Sequence, residues 1–108
     1  AMITTPNEKR VDRRLPVTWD AECRLGGTFA PGIVRDISAG GVFFGTPDTE
    51  PRDAIEDLRL MLDLGDQVVL TYETARYAKA RRRLATVCWI GPSDDHGCDG
   101  LGLRFDEL

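Results

Sequence analysis

The sequence is poor in the residues on which most catalytic and metal chemistry is built. It holds one histidine, His96, and three cysteines, Cys23, Cys88 and Cys98, in 108 residues. The odd, widely spaced cysteines make no disulfide framework and read as reduced thiols. Structural zinc needs paired Cys or His ligands, and His96 has only Cys98 nearby, so no metal site is expected. A Ser-His or Cys-His nucleophile would have to be assembled around His96 in the polar segment SDDHGCDG, which reads instead as a loop. The chain is therefore read as a non-enzyme without a cofactor. No run approaches the ~20 apolar residues of a spanning helix. The start, AMITTPNEKR, has no apolar signal-peptide core, and Ala1 ahead of Met2 reads as a cleavage remnant. A cytoplasmic protein without membrane insertion is expected.

Hydrophobic residues make up 42% and charged residues 30%, enough of both for one soluble domain with a single core. The net charge of −4 conceals a segregation. Residues 1–14 are basic, 15–75 strongly acidic, 76–83 (RYAKARRR) carry five cations and no acid, and 84–108 are acidic again. Two short basic islands in an acidic chain lack the broad positive footprint that duplex nucleic acid requires. A compact anionic ligand fits better.

Strict alternation marks VTWDAECRL (17–25) as a half-buried strand with Val17, Trp19, Ala21, Cys23 and Leu25 on one side. Gly26-Gly27 supplies a turn, and TFAPGIVRDIS continues as a second strand with a bulge or kink expected at Pro31. VFFGT is a third. The spacing of Ile55, Leu58, Met61 and Leu62 behind Pro51 predicts a short helix over 51–62. QVVLTYET, RLATVCWI and GLGLRF complete six strands, with RYAKARRR capping one hairpin and GPSDDHGCDG turning the next; Leu101, Leu103 and Phe105 share a face. The expected fold is all-β, a small six-stranded antiparallel barrel with one short helix, since closure removes exposed edges. Trp19 and Trp89 are read as core, although a surface tryptophan could stack on a base.

Two segments stand apart. Lys9-Arg10-Val11-Asp12-Arg13-Arg14 presents arginines four residues apart ahead of the first strand. Asp36-Ile37-Ser38-Ala39-Gly40-Gly41 ends the second strand with a carboxylate and a hydroxyl two apart, then glycines that permit close backbone approach. This RxxxR followed by DxSxxG resembles the PilZ domain, a bacterial receptor family for cyclic di-GMP, and ATVCWIGPS…GLGLRF resembles its last two strands. The resemblance spans nearly the whole chain. It implies a flexible N-terminal arm (1–14) on a barrel domain (15–108), and ligand contacts from Arg10, Arg14, Asp36, Ser38 and Gly41, with Lys9, Arg13, Gly40 and Arg104 as additional candidates. Lys9, preceding the first motif arginine, is compatible with a stacked ligand pair.

The chemistry agrees with that implication. Arginine forks suit phosphate and the guanine O6/N7 edge, and Asp36 suits the guanine N1–H/N2–H edge. The implied output is ordering of the arm and a change in binding to a downstream protein. Many relatives continue into a C-terminal helix, where this sequence reaches Asp106-Glu107-Leu108. Either 51–62 covers part of the barrel instead, or the chain is one module of a longer protein. Two alternatives stand beside the receptor: a PilZ-like adaptor that works by protein contact without nucleotide, and a single-strand nucleic-acid binder using RYAKARRR, weakened by the few aromatics near that run. The run itself reads as an exposed hairpin, or as a docking surface for an acidic partner.

Overall fold

The computed structural model describes residues 13–47, 59–74 and 80–106. These form six strands, β1 (Leu15–Leu25), β2 (Thr28–Ile37), β3 (Gly41–Gly45), β4 (Gln67–Glu73), β5 (Ala80–Ser93) and β6 (Cys98–Phe105). All neighbours are antiparallel and the sheet closes on itself in the order β1-β2-β3-β6-β5-β4. Closure comes from β1, which pairs with β2 on one side and β4 on the other, Cys23 lying opposite both Ala30 and Leu70. Helical backbone is described only at 59–61, the end of the helix expected over 51–62; the remainder of that expectation lies outside the described residues.

The interior is filled by one face of each strand. Phe44, Leu70, Leu101, Leu103, Val34, Val42, Val68, Val87 and Cys23 are fully buried, and the alternating face of β1 packs against them. Burial of Cys23 pushes its thiol from 9.0 up to about 12, with the Glu22 charge adding to the shift. Trp19 stacks parallel to Tyr72 across the β1–β4 seam, ring centroids 5.6 Å apart. The β1–β2 hairpin turns through Gly26 at φ 60°, a conformation that costs glycine little.

Three sequence expectations are corrected. No bulge occurs at Pro31: the β1–β2 register runs unbroken from Leu25/Thr28 to Trp19/Val34. Pro31 lies beyond the end of β3, which begins pairing at Ile33, so its missing N–H costs no ladder bond on that side. The bulge falls instead at Arg35, between Val34 and Asp36. Secondly, GPSDDHGCDG is mostly strand. β5 and β6 stay paired out to Ser93 and Cys98, leaving a four-residue turn, 94–97. Thirdly, Arg81, Arg82 and Arg83 sit within β5, opposite Tyr72, Thr71 and Leu70, rather than in the hairpin connection; the first part of RYAKARRR, 76–79, lies outside the described residues. Arg83 lies over the Phe105 ring at 3.7 Å, which gives a cation at the mouth of the barrel an apolar partner.

Candidate functional site

Residues of the second motif gather on the outer face of β2, β3 and β6. In regular alternation Asp36 would point inward with Val34; the bulge at Arg35 inserts one residue, so Val34 pairs with the interior Phe44 and Asp36 with the outward Phe43. A second bulge at Cys88 does the same on β5. Val87 opposes the interior Leu103, whereas Trp89 opposes Gly102 and points out, 40% exposed. Trp89 is therefore not core. Through the registers of β2–β3, β3–β6 and β5–β6, residues Asp36, Phe43, Gly102 and Trp89 form one lateral row across four strands.

The floor of this face is glycine. A Cβ at Gly100 would stand 2.7 Å from the Phe43 ring and one at Gly45 3.1 Å from it, so the missing side chains let the ring lie down along the sheet. Phe43 and Trp89 meet in a tilted pair with centroids 6.1 Å apart. Onto the other side of Phe43 the 94–97 turn folds His96, whose ring stacks at 4.4 Å and 22°.

Asp36 is the electrostatic centre. Its side chain is only 13% exposed. Its Oδ1 accepts a 2.6 Å bond from Arg14 Nη1, and its Oδ2 lies 2.7 Å from His96 Nε2. The ladder explains the first contact: Leu15 and Pro16 pair with Ile37 and Asp36, which brings the residue just before β1 alongside the end of β2. The structure thus joins Arg14 of the first motif to Asp36 of the second, 22 residues apart.

Ser38 acts first on its own backbone. Its hydroxyl accepts from the amides of Gly40 and Gly41, both at 3.2 Å, while its amide donates to the Gly41 carbonyl at 2.8 Å. These bonds shape the β2–β3 turn, as expected of serine beside glycine. Gly41 is needed for close approach, but to the protein itself, since a Cβ there would fall on the Leu103 carbonyl. Gly40 accepts from the Phe105 amide at 2.8 Å. Arg104 is exposed on the same outer face, opposite Gly41 and Thr86. Arg13 is exposed just before Arg14. Lys9 and Arg10 lie outside the described residues.

The residue beside Asp36 that sequence reasoning missed is His96. Read as a loop residue, it does occupy a turn, yet its side chain reaches the motif carboxylate; no spacing in the sequence links position 96 to position 36. Beside it opens a cleft of about 440 Å³ bordered by Arg35, Thr46, His96, Cys98 and Asp99. Arg35 donates to the Thr46 carbonyl at 2.7 Å, and Arg59 reaches Asp99 at 3.0 Å, tying the helical residues to the start of β6. Among the described residues no cluster of three or more His, Cys, Asp or Glu could hold a metal ion, and no helix is long and apolar enough to cross a membrane.

Residues 8–108 match the family described as PilZ domain. The chain belongs to the PilZ domain family. No match occurs among curated proteins. Among solved structures this PilZ domain is similar to the Bacillus subtilis inhibitor of motility (MotI/DgrA), with a TM-score of 0.61 and 15% identity over 88% of the present chain and 41% of that one. At that identity the likeness concerns the fold alone, and the PilZ domain spans less than half the length of that protein.

Proposed function

We propose that this PilZ domain is a non-catalytic receptor that captures cyclic di-GMP on the outer face of β2 and β3 and relays capture, through residues 1–14, to a downstream protein. The observation that carries the reading is the Arg14–Asp36 pair, which unites the two motif segments at one point of the surface. Cyclic di-GMP is a dianion with two guanines. Guanidinium forks can take its phosphates or the O6/N7 edges, and a carboxylate can take N1–H and N2–H. Arg10, Lys9 and Arg13 supply further cations from the arm, and Ser38, Gly40, Gly41 and Arg104 border the same face. The ligand requires neither metal nor cofactor for this, and the chain is placed in the cytoplasm.

Capture is an exchange. The guanidinium of Arg14, half exposed, occupies the acceptor that a guanine edge would use. Binding then moves Arg14 from Asp36 to the ligand. That occupied acceptor also favours the second reading, an adaptor that works by protein contact with its site closed.

Titration calorimetry of the domain, arm included, with cyclic di-GMP decides between them, with GTP, cyclic GMP and a single-stranded oligonucleotide as controls. Selective binding is expected, and one or two ligands per chain reads out the role of Lys9. Arg14→Ala is expected to lose binding by at least tenfold, the cost of removing a charge-assisted contact, while the domain stays folded because His96 Nε2 still stands 2.7 Å from the carboxylate left behind. A folded native domain that binds no nucleotide moves the adaptor to the front.

A further inference from the structure

We infer that His96 is a positioning residue for nucleotide recognition: it anchors Asp36 Oδ2, so that Oδ1 alone exchanges between Arg14 and a guanine edge. This rests on the receptor reading and deepens it. Three observations converge. The two oxygens of Asp36 face different partners, Oδ1 toward Arg14 at 2.6 Å and Oδ2 toward His96 Nε2 at 2.7 Å. The partners also differ in exposure, Arg14 being 47% exposed and His96 18%. Finally, the imidazole is held from two further directions. Its ring lies on Phe43, itself laid over Gly45 and Gly100, and its backbone amide donates to Ser93 within the 94–97 turn.

A carboxylate on a strand end rotates about its χ2 torsion, and a terminal torsion of this kind is broad. With Oδ2 anchored, the plane of the carboxylate is set and Oδ1 faces the outer surface at a constant angle. An oxygen so placed accepts from N1–H and N2–H of guanine and loses the second of these bonds on a base that lacks the N2 amine. Phe43 takes part only by fixing the imidazole plane, on which the ring stacks at 4.4 Å.

The test uses the whole chain and three variants. His96→Phe keeps an aromatic ring on Phe43 and removes the donor. His96→Asn keeps an amide too short to reach Asp36. His96→Gln places an amide nitrogen close to where Nε2 stood. Affinities are measured by calorimetry for cyclic di-GMP and for cyclic di-IMP, which lacks the exocyclic N2 amine, with melting temperatures alongside.

The expected result is a loss of about tenfold toward cyclic di-GMP in His96→Phe and His96→Asn, as for removal of a polar contact to a charged group, with His96→Gln close to native. The ratio of the two affinities should fall toward one in the first two variants and hold in the third. Native affinity and native ratio in His96→Phe and His96→Asn would overturn the inference. So would an equal loss for both nucleotides, which marks a purely structural role, or a loss in His96→Gln as large as in the others. If the unaltered domain binds neither nucleotide, the receptor reading itself falls and takes this inference with it.

Discussion

Trp19 and Trp89 carry the same indole into opposite environments, and this makes them separate reporters. Trp19 is stacked on Tyr72 in the barrel wall, whereas Trp89 stands half out of the surface beside Phe43. If ligand lands on the row from Asp36 to Trp89, tryptophan emission should change on titration with cyclic di-GMP. The change should vanish in Trp89→Phe and survive in Trp19→Phe; the reverse pattern would place the ligand elsewhere. A third residue, Cys23, gives a pH dependence. Its buried thiol is pushed up to about 12 from 9.0, so the fold favours the neutral form. The associated stability is complete below pH 9 and is lost as pH rises toward 12. Urea midpoints at pH 7.5 and 10 should therefore fall more steeply for the native protein than for Cys23→Ala.

At the scale of the strand, legibility tracked alternation. β1 was readable because its inward and outward residues alternate in an unbroken register from Trp19 to Leu25, and Leu101, Leu103 and Phe105 of β6 were readable for the same reason. The ends of β5 and β6 were not, since Pro92, Ser93, Cys98 and Asp99 pair in a solvated stretch of ladder where no hydrophobic period is imposed. Trp89 was misplaced because one extra residue at Cys88 reverses the parity of everything after it. The acidic, hydroxyl and arginine positions of the site were readable as motifs, and Arg14 and Asp36 do meet. His96 was not, because its contact with Asp36 depends on how a hairpin folds back and not on any local pattern. The β3–β6 ladder also sets a steric demand that composition hides. At Gly100 a Cβ would collide with the Phe44 carbonyl as well as the Phe43 ring, while at Gly27 it would meet nothing within 4 Å. Gly100→Ala is expected to cost at least about 2 kcal/mol in urea unfolding, as overpacking of a tight ladder does, and Gly27→Ala less than about 1 kcal/mol.

For the molecule as a whole, Asp106 just past β6 fastens neighbouring strands of the closed barrel together. Its carboxylate accepts from Thr86 Oγ1 at 2.6 Å and Gln67 Nε2 at 2.8 Å, and its amide donates to the Leu84 carbonyl at 3.1 Å, so one residue ties the chain end to β4 and β5. The Thr86 hydroxyl, then the Gln67 amide, hold this carboxyl below its ordinary value of 3.8. A lowered value means stability present above the ordinary carboxylate range and lost as pH falls through the lowered one. Thermal melts between pH 7 and 3 should show Asp106→Asn losing less than the native protein on the acid side. The bulges at Arg35 and Cys88 have a consequence on the same scale. Each acts as a frame shift in a two-letter code of inside and outside. Downstream of position 35 the acid is spelled outward, and downstream of position 88 the indole is. The outer face from Asp36 to Trp89 is thus encoded partly in how many residues β2 and β5 contain. A change of side chain at either bulge edits one letter, whereas the loss of either residue would rewrite the rest of its strand and bury the acid or the indole that the surface is built to show.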